Sequence, residues 1–113
     1  FVQGAGWLGC EEVNWKANGQ ITTHSPSTYK IPAVSDMPEK FNAEIFKKGI
    51  NIENVINKSK TTGEPPLMNA MSVFFAIKNA IASIGNYTVN PNLDAPATSE
   101  KILMSIKNLK SKI

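Results

Sequence analysis

Glu64 stands in the run Ser59-Lys60-Thr61-Thr62-Gly63-Glu64-Pro65-Pro66-Leu67, a lone acid between a flexible glycine and two stiff prolines. A positioned carboxylate can take a proton from a reacting group. Proline in the first helical turn has its φ already set for a helix, so the acid is followed by a rigid mount. The amides and dipole of a helix start favour negative charge nearby, which would keep such a carboxylate ionised. Two uses fit the pattern. Glu64 could act as a general base, or it could cap the helix and complement its dipole, the commoner use of an acid in this place. The local physics permits a base without requiring one.

The other groups able to do chemistry are sparse. Cys10 is the single cysteine, which excludes an internal disulfide, a Cys-rich zinc site and an iron–sulfur ligand set built from this chain, and which fits an intracellular, cytoplasmic setting. His24, the single histidine, has no second His or Cys near it in sequence and reads as a surface or structural residue rather than a metal ligand. Ser25, Ser27 and Thr28 lie in a loop bracketed by Pro26 and Pro32 and are expected to satisfy their own backbone. Trp7, Trp15 and Tyr29 read as core or interface aromatics, and Lys60 as a surface or ion-pairing residue.

The elements that must position Glu64 follow from periodicity. Leu67, Met71, Phe74, Ile77, Ile81 and Ile84 keep i, i+3/i+4 spacing and predict a helix over residues 66–84. Further apolar residues leave only a narrow polar strip of Asn69, Ser72, Asn79 and Ser83, so this helix is expected to be buried on most sides. Gly85-Asn86 stops it. A second helix is expected from Thr98 as N-cap, with Lys101 at its third position, Glu100 near its positive end and Lys107, Lys110 and Lys112 near its negative end. Residues 1–13 read as the end of a buried helix in which Gly4 and Gly6 allow a neighbour close approach. Asn18-Gly19 predicts a β-hairpin, residues 41–46 a strand, and Val55-Ile56 the seed of another. The expected class is α+β.

The chain has 113 residues, 42% of them apolar, enough for one small soluble unit with modest independent stability. All twelve basic residues are Lys, scattered among nine acids to give a net charge of +3. Without an arginine fork or a basic stripe, no nucleic acid is expected as partner, and no membrane is expected either. The opening Phe1-Val2-Gln3-Gly4-Ala5-Gly6-Trp7-Leu8 has no basic n-region and is not a signal peptide; the expectation is an element whose beginning lies upstream.

The 59–67 run, followed by Ser72-Val73-Phe74-Phe75-Ala76-Ile77-Lys78-Asn79-Ala80-Ile81, resembles the last part of the xanthine dehydrogenases and aldehyde oxidases, the molybdenum hydroxylases. Phe1-Val2-Gln3-Gly4, Glu11-Glu12, Pro26-Ser27-Thr28-Tyr29-Lys30-Ile31-Pro32 and Leu93-Asp94-Ala95-Pro96-Ala97-Thr98 are similar to family segments in the same order. Thr61-Thr62 departs from the Ala-Val of many relatives, which touches hydrogen bonding around the acid but leaves acid and prolines in place. The resemblance implies that residues 1–113 are the C-terminal portion of a molybdopterin-binding domain. It implies a molybdenum-molybdopterin cofactor held mainly by residues outside the chain, with no metal ligand inside it. Glu64 is then the general base in hydroxylation of a purine, another N-heterocycle or an aldehyde with water-derived oxygen. Gly63 becomes a close backbone neighbour of the molybdenum centre, its other reading being a helix-entry glycine. The implied partners are the remainder of the molybdopterin-binding subunit, iron–sulfur and FAD domains or subunits, and an oligomeric parent. The chain alone would be inactive. The alternative is a non-catalytic interaction or assembly module that keeps the fold and docks through its apolar helix.

Overall fold

The computed structural model describes residues 1–60 and 64–113. Three α-helices organise it: α1 (Val2–Gly9), α2 (Pro65–Ile84) and α3 (Ser99–Lys110). α2 lies between the other two and packs against both. Short 3-10 turns occur at Val34–Asp36 and Ile56–Lys58.

α2 starts with prolines at its first two positions and stops at Gly85, after which Asn86 and Tyr87 adopt left-handed φ values of 48° and 60° that no helix can continue. Its inward stripe runs through buried Ala70 and Ile81 and half-buried Phe74 and Ile77. At the C-terminal end Ile81 joins Leu93, Ala97 and Leu109 in the core, with Phe74, Ile77, Val89, Ile102 and Ile106 packed against it. α3 begins as its sequence predicts: the Thr98 hydroxyl accepts from the Lys101 amide at 3.4 Å, Glu100 sits in the first turn, and Lys107 and Lys110 in the last.

α1 is shorter than the 1–13 helix expected, ending at Cys10. Gly4, Gly6 and Gly9 give it poor intrinsic helicity, so packing must hold it. Its far end is tied down by the Ala97 amide donating to the Leu8 carbonyl at 2.7 Å and by an ion pair between Lys101 and Glu12 at 3.1 Å.

Among the described residues the structure is helical with little strand, and the expected α+β description is not borne out by them. The chain reverses at Asn18-Gly19, where Gly19 takes φ 83°, but the arms are joined by a single antiparallel bridge between Trp15 and Ile21 and form no ladder. Residues 41–46 have no pairing partner among the described residues, and Ile56 opens a 3-10 turn instead of a strand. A strand exists through its neighbour's hydrogen bonds, and apolar β-branched residues alone do not supply one. Trp15, read as a core or interface aromatic, is 64% exposed within the chain.

α2 is likewise not buried on most sides: Met68, Met71, Phe75 and Ile84 remain exposed. By length and composition α2 could cross a membrane, with a mean hydropathy of 1.4. α1 and the lysine-bearing α3 pack against it. Residues between α1 and α2 add Ile45, Phe46, Ile50 and Ile52 to the exposed apolar set. The radius of gyration is 18.5 Å, against about 13 Å for a compact domain of this length.

Apolar surface on this scale is unusual for a free monomer. The isolated chain is therefore expected to self-associate and to raise the fluorescence of a hydrophobic dye. A monodisperse, dye-silent monomer in sedimentation and fluorescence measurements would contradict that expectation.

Candidate active site

Glu64 is the N-cap residue of α2, with φ −108° and ψ 41°, and it is exposed. Its side chain makes no capping hydrogen bond. Pro65 and Pro66 have no N–H, so of the helical amides in the first turn only that of Leu67 remains to face an anion. The expected cradle of helix-start amides is thus mostly missing. The prolines instead remove two donors that would otherwise call for a cap, and the Glu64 carboxylate is not spent on capping. Gly63 lies outside the described residues.

The mount beneath Glu64 is set by α1. Gly4 is buried where a Cβ would run into the backbone carbonyl of Pro66 and lie 2.9 Å from the Ala70 methyl, and Ala70 is fully buried. α1 therefore touches the first turn of α2 backbone to backbone. Because α1 is tied to the start of α3, three parts of the sequence hold the turn that carries Glu64.

The remaining candidates do not converge on Glu64. His24 is exposed. Ser25, Ser27 and Thr28 bond to one another and to the Ser25 backbone, the local use expected of them. Cys10 borders a hollow with Val2, Ala5, Pro32 and Val73 that Glu64 does not reach, and burial pushes its thiol above the usual range, making it a poor nucleophile. One polar pair was not anticipated: the Tyr29 hydroxyl donates to Glu11 Oε2 at 2.6 Å, a bond that raises the phenol's pKa and links the loop to the end of α1. Asp36 accepts from the Ala33 amide at 2.8 Å, which, with Lys30 nearby, lowers its pKa. Glu11 and Tyr29 sit eighteen positions apart, and no local pattern joins them.

Among the described residues no group of three His, Cys, Asp or Glu could hold a metal ion. An exposed carboxylate without a capping bond, on a rigid helix start, suits a proton acceptor beside a metal centre rather than a ligand set, and so fits a molybdenum-molybdopterin whose ligands come from elsewhere.

Residues 1–38 match a molybdopterin cofactor-binding domain model. In an alignment of 115 positions that covers 93% of the chain, it is 40% identical to xanthine dehydrogenase 2 of Arabidopsis thaliana. It is 44% identical over 108 residues to xanthine dehydrogenase/oxidase of Felis catus, covering 90% of the chain, and to xanthine dehydrogenase of Dictyostelium discoideum, covering 93%. The chain belongs to the xanthine dehydrogenase family, in its molybdopterin-binding region. It spans about 8% of the length of these relatives. An alignment covering 93% of the chain takes in α2 and the Glu64 turn, and Gly4 falls within residues 1–38 matched by the domain model.

Proposed function

We propose that residues 1–113 form the C-terminal portion of the molybdopterin-binding domain of a molybdenum hydroxylase, with Glu64 as its general base. The observation that carries this reading is the Glu64 carboxylate, exposed and without a capping bond on the proline-started α2. The substrate is a purine, another N-heterocycle or an aldehyde; the relatives' name, xanthine dehydrogenase, favours a purine. Water supplies the oxygen, a C–H bond becomes C–OH, and the conversion releases two electrons and two protons. Molybdenum-molybdopterin, when bound, would supply the redox centre that takes up the two electrons. Glu64 takes up a proton from the water-derived oxygen as it attacks, and the Pro65-Pro66 mount restricts where its backbone can point.

Gly63 is the close backbone neighbour of that centre in this reading. Iron–sulfur clusters and FAD in other domains or subunits carry the electrons onward, in an oligomeric, cytoplasmic parent. The rest of the domain covers the exposed faces of α2 and supplies a strand partner to residues 41–46, which have none among the described residues, and this would restore an α+β context. The exposed apolar face also favours a second reading, a non-catalytic module that docks through α2.

Metal analysis of the intact parent protein separates the two. Molybdenum and pterin in near-equal amounts are expected. A folded parent that contains neither, expressed in a host able to make the cofactor, would leave only the docking module.

A further inference from the structure

We infer that Gly4 is a positioning residue for Glu64: the missing Cβ at this one point of α1 sets how deeply α1 seats under the first turn of α2 and hence where the carboxylate is held. The inference rests on the reading of Glu64 as base and adds to it a determinant sixty positions away in sequence.

The contact differs from those at the other glycines of α1. A Cβ on Gly4 would meet a backbone carbonyl, that of Pro66, together with the Ala70 methyl at 2.9 Å. A Cβ on Gly6 would meet the side chains of Glu11 and Pro32, and one on Gly9 would meet nothing within 4 Å. At Gly6 the Glu11 side chain can rotate away although the Pro32 ring cannot, and at Gly4 the Pro66 carbonyl can move only with the backbone of the turn. That backbone is stiff, since Pro65 and Pro66 fix successive φ values next to the Glu64 N-cap. α1 cannot easily yield either, with the Leu8 carbonyl held by the Ala97 amide and Glu12 by Lys101. The added volume therefore appears as a displacement of the first turn of α2. Gly9 provides an internal control on the same helix. Gly→Ala favours helix at both places, so a loss seen only at Gly4 comes from the contact and not from propensity.

The test is made in the intact, molybdenum-loaded enzyme with Gly4→Ala, Gly9→Ala and, as a milder change to the same seat from the α2 side, Ala70→Ser. Gly4→Ala is expected to lower kcat by about 10- to 100-fold, the scale of a displacement near one ångström, while KM changes little. Hydrogen exchange at the Met68 and Asn69 amides, the first of α2 with intrahelical acceptors, should quicken in Gly4→Ala and, to a lesser degree, in Ala70→Ser. Gly9→Ala should leave both readouts at the wild-type level. Wild-type kcat and exchange in Gly4→Ala would overturn the inference, as would equal damage from Gly9→Ala. If Gly4→Ala does not accumulate, wild-type behaviour of Ala70→Ser in both readouts overturns it. Should Glu64→Gln prove fully active while Gly4→Ala still quickens exchange at Met68, the base assignment falls and the seat remains.

Discussion

Glu64→Gln in the intact enzyme is expected to lower the rate of substrate oxidation by about two to four orders of magnitude, with molybdenum content unchanged. Glutamine keeps the size and planar shape of the side chain but cannot accept a proton. Ordinarily an N-cap substitution confounds catalysis with helix stability, since losing a cap costs about 1 kcal/mol. Here the confusion is small, because the Glu64 side chain makes no capping bond and the two prolines have no amides to leave unsatisfied. The measurement is anaerobic reduction of the enzyme by substrate in a single turnover, since proton removal belongs to that half-reaction. Near-normal reduction at full metal content would remove Glu64 from the chemistry. A mutant lacking molybdenum would place Glu64 in assembly of the site.

Leu109→Ala carries the largest expected structural effect. Leu109 is 2% exposed, and its Cδ2 lies 3.2 Å from where a Cβ of Gly85 would stand, so it packs directly on the glycine that ends α2. Few buried side chains share this core, and a deletion there has little chance of collapsing shut. A Leu→Ala change in a core costs about 2 to 5 kcal/mol. Where exchange is limited by opening of α3, that corresponds to amide exchange faster by roughly thirty-fold to several thousand-fold. Leu103 lies on the same helix but is 51% exposed, and Leu103→Ala should change exchange little. Equal, small effects at both positions would mean that Leu109 does not bear on the α2–α3 contact.

The helices were legible because their signals are local. The 3.6-residue period of α2, its proline entry, the Gly85 stop and the Thr98 cap each depend on residues within a turn or two of each other, and each appears within a residue or two of its expected place. Strands are not local. Residues 41–46 carry the alternation of a strand but find no neighbour to bond to among the described residues, so the pattern alone could not decide their state. The burial of α2 was overread for a related reason: an all-round apolar helix declares a need for cover, and this chain supplies α1 and α3 on limited stretches of it. At the site, Glu64 stood out by its flanks, and the glycines of α1 signalled close packing. Which glycine met which turn depended on the tertiary arrangement, since Gly4 and Pro66 are far apart in sequence.

That separation bears on the order in which the fold can assemble. α1 reaches α2 only by closing the chain over residues 10–64, whereas α2 and α3 are joined through residues 85–98. Loop-closure entropy rises with the logarithm of length, so the longer closure costs about 1 kcal/mol more. A glycine-rich α1 has little helicity of its own to offset this. The α2–α3 pair is thus the early unit, and the amides that loosen in Leu109→Ala should include those of α1. On this ground α1, though it precedes α2 in the chain, is expected to seat under the Glu64 turn only after α2 and α3 have paired.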